Sequence, residues 1–170
     1  MREPEGFQEY VRGRQRSLLR SAYLITGDPH LAHDLVQSAL VRAWPRWERI
    51  SRLENVDGYV YRVLVTTWTS WKRRRWHGEI PHGQVPDGAA VADPQDTSAE
   101  RVTVAEALRA LPPRQRAVVV LRFYADLTEA QTAEAMGCSV GTVKSQTAKA
   151  LAALRRSAAA MTVERSGEAT

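Results

Sequence analysis

Apolar residues recur along this chain at intervals of three and four positions, the spacing of one face of an α-helix. The spacing predicts five helices before residue 125, over residues 7–26, 30–44, 57–75, 101–110 and 113–124. Pro113 falls in a first turn, where a missing N–H costs little. No stretch of useful length alternates between apolar and polar residues, as a strand would. We therefore expect an all-α fold.

A helix-turn-helix is predicted after residue 127. Thr128 and Gln131 have the spacing of a capping box, which would begin a helix that Gly137 then ends. Ser139 is a suitable N-cap for the second helix. The inward side of that second helix is predicted to carry Val140, Val143, Thr147 and Leu151. Two helices joined by a three-residue turn are typical of DNA-binding proteins.

The second helix of this motif has features suited to DNA. Gly141 and Thr142 are small, so the start of the helix could approach a phosphate backbone closely. Hydrogen-bonding side chains then face outward, where base edges of a major groove would lie: Lys144, Ser145, Gln146 and Lys149. The alternative is an ordinary solvated helix, which would show the same residue types.

The net charge of +5 is unevenly distributed over the 170 residues. Residues 1–76 hold 14 basic and 8 acidic residues, and residues 101–157 hold 9 basic and 4 acidic residues. Between these modules, residues 77–100 hold 5 acidic residues and no Lys or Arg. We therefore predict a first module, an acidic flexible linker and a second module, followed by a disordered tail over residues 158–170. Two basic modules favour an anionic partner such as nucleic acid.

Several classes of function are disfavoured. No apolar run approaches the roughly 18 residues of a membrane span, so we expect a soluble cytoplasmic protein without membrane insertion. The single Cys138 cannot form an internal disulfide. His30 and His33 lack a third ligand nearby in the sequence, so we predict no metal site and no cofactor. Without a catalytic motif, an enzyme is not expected.

Both modules resemble one family. The stretch "ALPPRQRAVVVLRFYADLTEAQTAEAMGCSVGTVKSQTAKALAALR" resembles region 4 of bacterial sigma factors. "DLVQSALVRAWPRWERI" is similar to their region 2.2, and "NVDGYVYRVLVTTWTSWKRRRW" to regions 2.3 and 2.4. The resemblance covers residues 7–156 and is to the extracytoplasmic-function (ECF) group, in particular a short actinobacterial branch.

The resemblance implies that core RNA polymerase is the principal partner. Region 2.2 of the family docks on the coiled coil of the largest polymerase subunit, and region 4 meets the flap. The corresponding exposed side here would carry Asp34, Gln37, Ser38 and Val41. Many relatives have an acid at the position of Ser38, so one polar contact differs. The alternative for Asp34 is a solvated residue near a helix start.

The resemblance also implies two contacts with promoter DNA. The minus-ten element, including one flipped base in the loop over residues 51–56, would meet Arg52, Asn55, Arg62, Thr66, Ser70, Arg73 and Arg74. The minus-thirty-five element would meet Arg114, Arg116, Gly141, Thr142, Lys144, Ser145, Gln146 and Lys149. Relatives often carry Arg at position 146, whereas Gln pairs with adenine. The basic run over residues 72–75 has a simpler alternative, a solvated helix end.

The sequence thus predicts a sigma factor that directs core polymerase to promoters and helps to melt them. The alternative is a free-standing helix-turn-helix regulator, although such proteins usually dimerise and no heptads are present. The resemblance leaves open an anti-sigma protein as a further partner. In the free protein we expect the two modules to pack together or to be held by an inhibitor. The 24-residue linker could extend to about 80 Å, beyond the roughly 50 Å between two elements one and a half turns apart.

Overall fold

A computed structural model describes residues 2–76 and 99–167 of the chain. The predicted linker, apart from residues 99 and 100, lies outside these ranges. The helices are α1 (Phe7–Thr26), α2 (Pro29–Ala43), a 3-10 turn (Trp44–Arg46), α3 (Trp47–Ile50), α4 (Val56–Trp76), α5 (Ala99–Arg109), α6 (Pro113–Val119), a π-helical segment (Val120–Tyr124), α7 (Glu129–Met136) and α8 (Val140–Gly167). The described residues contain no strand, and the all-α prediction is confirmed.

Helix boundaries in the first module follow from local chemistry. Gly27 ends α1 with φ of 74°, a left-handed conformation that costs glycine little. Asp28 then caps α2, because its carboxylate accepts the backbone N–H of Leu31 at 2.8 Å. Pro29 occupies the first position of α2, where no intrahelical donor is needed. The two helices therefore meet at a two-residue corner.

The structure refines one predicted helix and contradicts two other details. The helix predicted over 113–124 changes after Val119 to a π-helical turn, in which the Ala125 N–H reaches the Val120 carbonyl. The tail predicted to be disordered from residue 158 continues α8 as far as Gly167, because alanines at 158–160 favour a helix. Val140 was predicted to face inward, yet it is 38% exposed in the first turn of α8.

A shared apolar core joins the two modules. Leu64 of α4 and Leu35 of α2 belong to the same cluster of buried side chains as Leu121 of the π-helical segment. Helix α7 packs along α4, and the carboxyl end of α1 contacts α6 and the π-helical segment. Burial of this apolar surface holds the two modules together. Of the two arrangements expected for the free chain, the structure has the modules packed together.

A polar cluster fixes the start of α4 against α1. The Tyr10 hydroxyl donates to the Asp57 carboxylate at 2.9 Å, and Arg14 pairs with the other carboxylate oxygen at 2.8 Å. Deeper in the same interface, the hydroxyls of Ser21 and Tyr61 lie 3.2 Å apart. Burial raises the pKa of both tyrosines, and the neighbouring Asp57 carboxylate raises that of Tyr10 further.

These tyrosines predict a loss of stability in alkali. The folded protein holds the Tyr10 proton more tightly than the unfolded chain, whose phenol titrates near pH ~10. The stabilisation is therefore complete below that pH and falls as the pH rises through it, by up to about 1.4 kcal/mol per pH unit for one group. Urea unfolding between neutral and strongly alkaline pH should show a smaller decline for Tyr10→Phe than for the wild type. Equal declines in both proteins would contradict the assignment.

Thr132 in α7 offers a stability test in the opposite direction. Its hydroxyl is fully buried and has no hydrogen-bond partner among the described residues. Because an unsatisfied buried hydroxyl costs free energy, Thr132→Val should raise the free energy of unfolding by about 1 kcal/mol. Thr67 is the matched control: it is equally buried, but it donates to the Val63 carbonyl at 2.7 Å and accepts from Arg42 at 2.8 Å. Thr67→Val should destabilise; a loss of stability in both variants would refute the assignment for Thr132.

Candidate nucleic-acid interface

The start of α8 has the geometry that close approach to a phosphate backbone requires. Thr128 and Gln131 form the predicted capping box at the start of α7, and Gly137 ends α7 with φ of 63°. Ser139 then caps α8, because its hydroxyl accepts the Thr142 backbone N–H at 3.1 Å. A Cβ on Gly141 would meet nothing closer than the Ser139 hydroxyl at 3.8 Å, so this surface is open. Two caps and one glycine turn thus set the angle between the helices.

The predicted base-reading residues lie along the solvent side of α8. Lys144, Ser145 and Lys149 are exposed, and Gln146 is half-buried. The Lys144 ammonium lies 3.7 Å from the Glu129 carboxylate, with their side chains 64% and 41% exposed. Such an exposed pair contributes at most about 1 kcal/mol, so DNA phosphate could displace Glu129 at little cost.

Helix α4 presents a second polar side. Arg62, Thr66, Arg73 and Arg74 are exposed, and Ser70 is half-buried. The Thr66 hydroxyl donates back to the Arg62 carbonyl at 2.9 Å, and Ser70 accepts from Arg74 at 3.1 Å. The five predicted minus-ten residues on α4 therefore share one side of that helix, but the hydroxyls of Thr66 and Ser70 already take part in contacts within it.

The loop before α4 is held by its own side chains. Asn55 caps α4, because its side-chain oxygen accepts the Gly58 N–H at 2.8 Å. A Cβ on Gly58 would lie 2.5 Å from the Asn55 side-chain nitrogen, so a larger residue there would make the Asn55 amide shift. Arg52 is exposed and pairs with Glu48 one turn earlier at 2.9 Å. Of the two loop residues predicted to meet DNA, Asn55 thus has a structural role in the free protein.

Packing between the modules engages two of the predicted DNA-binding arginines. Arg62 of α4 pairs with Glu134 of α7 at 3.1 Å. Arg116 of α6 is half-buried and donates to the carbonyls of Ile25 at 3.0 Å and Leu111 at 3.3 Å. Burial and the adjacent Arg109 lower the pKa of the Arg116 guanidinium. Arg114, by contrast, is exposed to solvent.

Sequence reasoning missed the partners of these arginines. Glu134 lies 72 positions from Arg62, and Arg116 donates to the carbonyl of Ile25, 91 positions away, at 3.0 Å. For a charged residue on a helix surface, the neighbouring residues in the sequence do not indicate which distant residue it will contact. Only the packing of the modules brings them together.

The predicted polymerase-binding residues form one surface on α2. Asp34, Gln37 and Val41 are exposed, and Ser38 beside them is half-buried. Val41 is 68% exposed, which is unusual for a β-branched aliphatic side chain on a helix that buries six other residues. This surface is accessible in the packed arrangement of the two modules.

The described ranges offer neither a metal site nor a membrane-spanning helix. No group of three or more His, Cys, Asp or Glu side chains there could hold a metal ion. Likewise, none of the described helices combines the length and apolar character needed to cross a membrane.

Comparison with known families matches both modules in order. Residues 10–78 match sigma-70 region 2, and residues 101–154 match sigma-70 region 4. The RNA polymerase sigma-E factor of Streptomyces avermitilis is 46% identical over 149 residues, which are 88% of this chain and 83% of that protein. The ECF RNA polymerase sigma factor SigL of Mycobacterium tuberculosis is 31% identical over 143 residues, covering 81% and 80% of the two chains.

Solved structures share the fold. The sigma factor RpoE from Bartonella quintana, in complex with the anti-sigma factor NepR, has a TM-score of 0.77 at 23% identity and covers 90% of this chain and 96% of its own. CnrH, in complex with the cytosolic domain of CnrY, has a TM-score of 0.64 at 20% identity, with coverages of 91% and 88%. Together with the two matched regions and the relatives above 30% identity, these findings show that the protein belongs to the extracytoplasmic-function group of RNA polymerase sigma factors.

Proposed function

We propose that this chain binds core RNA polymerase, directs it to promoters with two upstream elements and helps to melt the DNA. The observation that carries the proposal is the exposed row of donors on α8, at a helix start built for close approach, in the same chain as the basic side of α4. The chain supplies recognition, and the polymerase supplies the nucleotidyl-transfer chemistry. It acts in the cytoplasm, where the polymerase and its DNA are.

The second module reads the minus-thirty-five element as duplex. In this proposal α8 enters the major groove, with Gly141 and Thr142 beside the backbone. Gln146 pairs with an adenine through its amide, while Lys144 and Lys149 supply positive charge. Exposed Arg114 holds phosphate outside the groove. Displacing Glu129 from Lys144 removes only a weak, solvent-exposed contact.

The first module meets the minus-ten element as its strands separate. Arg73 and Arg74 lie at the exposed end of α4, where they can neutralise phosphates. Arg52 and Asn55 border the loop that would receive an unstacked base. Arg62, Thr66 and Ser70 line the adjoining side of α4, and the hydroxyls can exchange their intrahelical contacts for base edges. A pocket for one base offsets part of the cost of unstacking it.

The surface on α2 docks on the polymerase. Val41 offers an apolar contact that is desolvated on binding, and Asp34, Gln37 and Ser38 surround it with polar groups. The second module would meet the flap. An anti-sigma protein is a further proposed partner, since RpoE, which shares this fold, is seen in complex with the anti-sigma factor NepR, and CnrH in complex with the cytosolic domain of CnrY.

Run-off transcription with core polymerase tests the proposal. We expect the protein to create new start sites that share two spaced upstream elements in a genomic promoter library. The triple variant Asp34→Ala, Gln37→Ala, Val41→Ala should lose copurification with core polymerase while its affinity for a minus-thirty-five duplex stays unchanged. A matched variant of the exposed residues Arg46 and Arg49 to alanine should keep both properties.

The alternative, a free-standing regulator, predicts different results. Such a protein would bind the duplex element but would neither copurify with core polymerase nor create start sites. The triple variant would then behave as the wild type in every assay.

A further inference from the structure

The carboxyl end of α1 lacks cations of its own. The last turn of α1 carries no basic residue, and its terminal carbonyls form the negative end of the helix dipole. Two arginines of the second module supply the positive charge that this helix end lacks. Arg109 donates to the Gly27 carbonyl at 2.7 Å, and Arg116 donates to the Ile25 carbonyl at 3.0 Å.

The junction is closely fitted. A Cβ on Gly27 would lie 3.2 Å from Arg109 Nε, so the glycine gives the guanidinium room as well as ending the helix. Arg116 also donates to the Leu111 carbonyl at 3.3 Å and is half-buried, so its charge is less screened by solvent than that of a surface residue. A few residues earlier in α1, the Arg20 guanidinium lies 5.6 Å from the centre of the Tyr124 ring.

We propose that Arg109 and Arg116 form a latch that holds the second module closed on the carboxyl end of α1, and that promoter binding requires its release. The inference rests on the proposed function and assigns Arg116 a role other than phosphate contact. In this closed state the α2 surface and the donors of α8 remain accessible, whereas α7 lies along α4 and Arg62 is paired with Glu134.

Distance makes the release obligatory. Helix α7 contacts both α4 and α8, so the parts of α4 and α8 that lie beside α7 are within about three helix diameters of each other, roughly 30 Å. Two promoter elements one and a half turns apart are separated by roughly 50 Å. The closed chain can therefore occupy one element but not both. Opening breaks the latch and exposes the core surface shared by the modules.

The order of events follows from which surfaces are accessible. The polymerase-docking surface on α2 is available before opening, and so is α8. The chain can thus dock on core polymerase while it is still closed, and binding energy from the polymerase and DNA then offsets the cost of opening. A chain that is mostly closed binds two-element promoter DNA more weakly than an open chain, in proportion to its open fraction.

Three substitutions in the full-length protein test the latch. Arg109→Gln and Arg116→Gln remove latch charges, and Arg114→Gln, an exposed arginine on the same helix as Arg116, is the matched control. Small-angle scattering should give the wild type and the control a radius of gyration near that of a compact chain of this length, about 15–16 Å. Both latch variants should be several Å larger, with helix content unchanged in circular dichroism.

Affinity for DNA distinguishes an arginine that holds the two modules together from an arginine that contacts phosphate. Duplex with the minus-thirty-five element alone should bind the latch variants and the wild type equally, and the Arg114→Gln control several-fold more weakly. A fragment with both elements, strand-separated at minus ten, should bind the latch variants roughly 3- to 10-fold more tightly, as expected if the closed state predominates.

Two results would overturn the proposal. The first combines two observations: Arg109→Gln keeps the wild-type radius of gyration, and Arg116→Gln binds the minus-thirty-five duplex as weakly as Arg114→Gln does. That result would make Arg116 a phosphate contact. The other is expansion of all three variants, including the control. If Arg116→Gln fails to fold, the more exposed Arg109→Gln decides. The scattering result does not depend on polymerase, so the latch can be upheld even if run-off transcription refutes the proposed function.

Discussion

Replacing Gln146 with alanine is expected to lower affinity for the minus-thirty-five duplex by about 1–3 kcal/mol and to relax the preference at one base pair. Gln146 is half-buried on α8, between the exposed Lys144 and Lys149. An amide can pair with adenine through two hydrogen bonds, which alanine cannot replace. Fluorescence anisotropy on duplexes that vary one base pair at a time would measure both effects.

Two further variants test whether the Gln146 side chain itself reads the base pair. Gln146→Arg should move the preference at the same base pair from adenine towards guanine, because a guanidinium suits guanine acceptors. Arg155→Gln removes a positive charge from an exposed position further along α8 and should leave the preference at every base pair unchanged. A uniform loss of affinity across all duplexes for Gln146→Ala would show that its side chain does not read a base.

Replacing Leu121 with alanine should lower the free energy of unfolding by about 2–5 kcal/mol. Leu121 is completely buried in the π-helical segment and belongs to the core that both modules share. Its removal leaves a cavity where the second module meets the first. We therefore expect one unfolding transition in the wild type and the same single transition, at lower denaturant concentration, in Leu121→Ala.

Urea unfolding followed by circular dichroism and by tryptophan fluorescence would check this. All five tryptophans lie in the first module, so fluorescence reports chiefly on that module, whereas circular dichroism reports both. Val41→Ala, at a position 68% exposed, should change stability by less than about 0.5 kcal/mol. Two separate transitions, with fluorescence unaffected by Leu121→Ala, would mean that the modules do not unfold as one unit.

Helix positions were largely predictable because their signals are local. The predicted helix 7–26 coincides with α1, and Gly27, Asp28 and Pro29 mark its end and the start of α2 through chemistry within three residues. The π-helical segment was missed since its apolar spacing over 120–124 also fits an α-helix. The helical tail is not evident from the sequence because the polar residues after 160 mask the helix preference of alanines 158–160.

The candidate site was predictable in composition but not in its contacts. Lys144, Ser145 and Lys149 lie on the exposed side of α8, as their spacing predicts. The partners of Arg62 and Arg116 are far away in sequence, and such contacts depend on how whole helices pack. For Asn55 the sequence is ambiguous for another reason: the Asn amide can hydrogen-bond a DNA base, and it can equally accept a backbone N–H as a helix cap, which is what it does here. Whether these residues bind DNA stays a prediction until the affinities are measured.

The shared core has a consequence for synthesis on the ribosome. The first module is complete when residue 76 has been made, but α7, which packs along α4, ends 60 residues later at Met136. At about 5–20 residues per second, the nascent chain carries α4 without that neighbour for several seconds. During that interval the apolar side of α4 is accessible to chaperones, and its basic side to any nucleic acid near the exit tunnel. The newly made first module therefore exists without the second module packed against it until the helices of the second module have been synthesised.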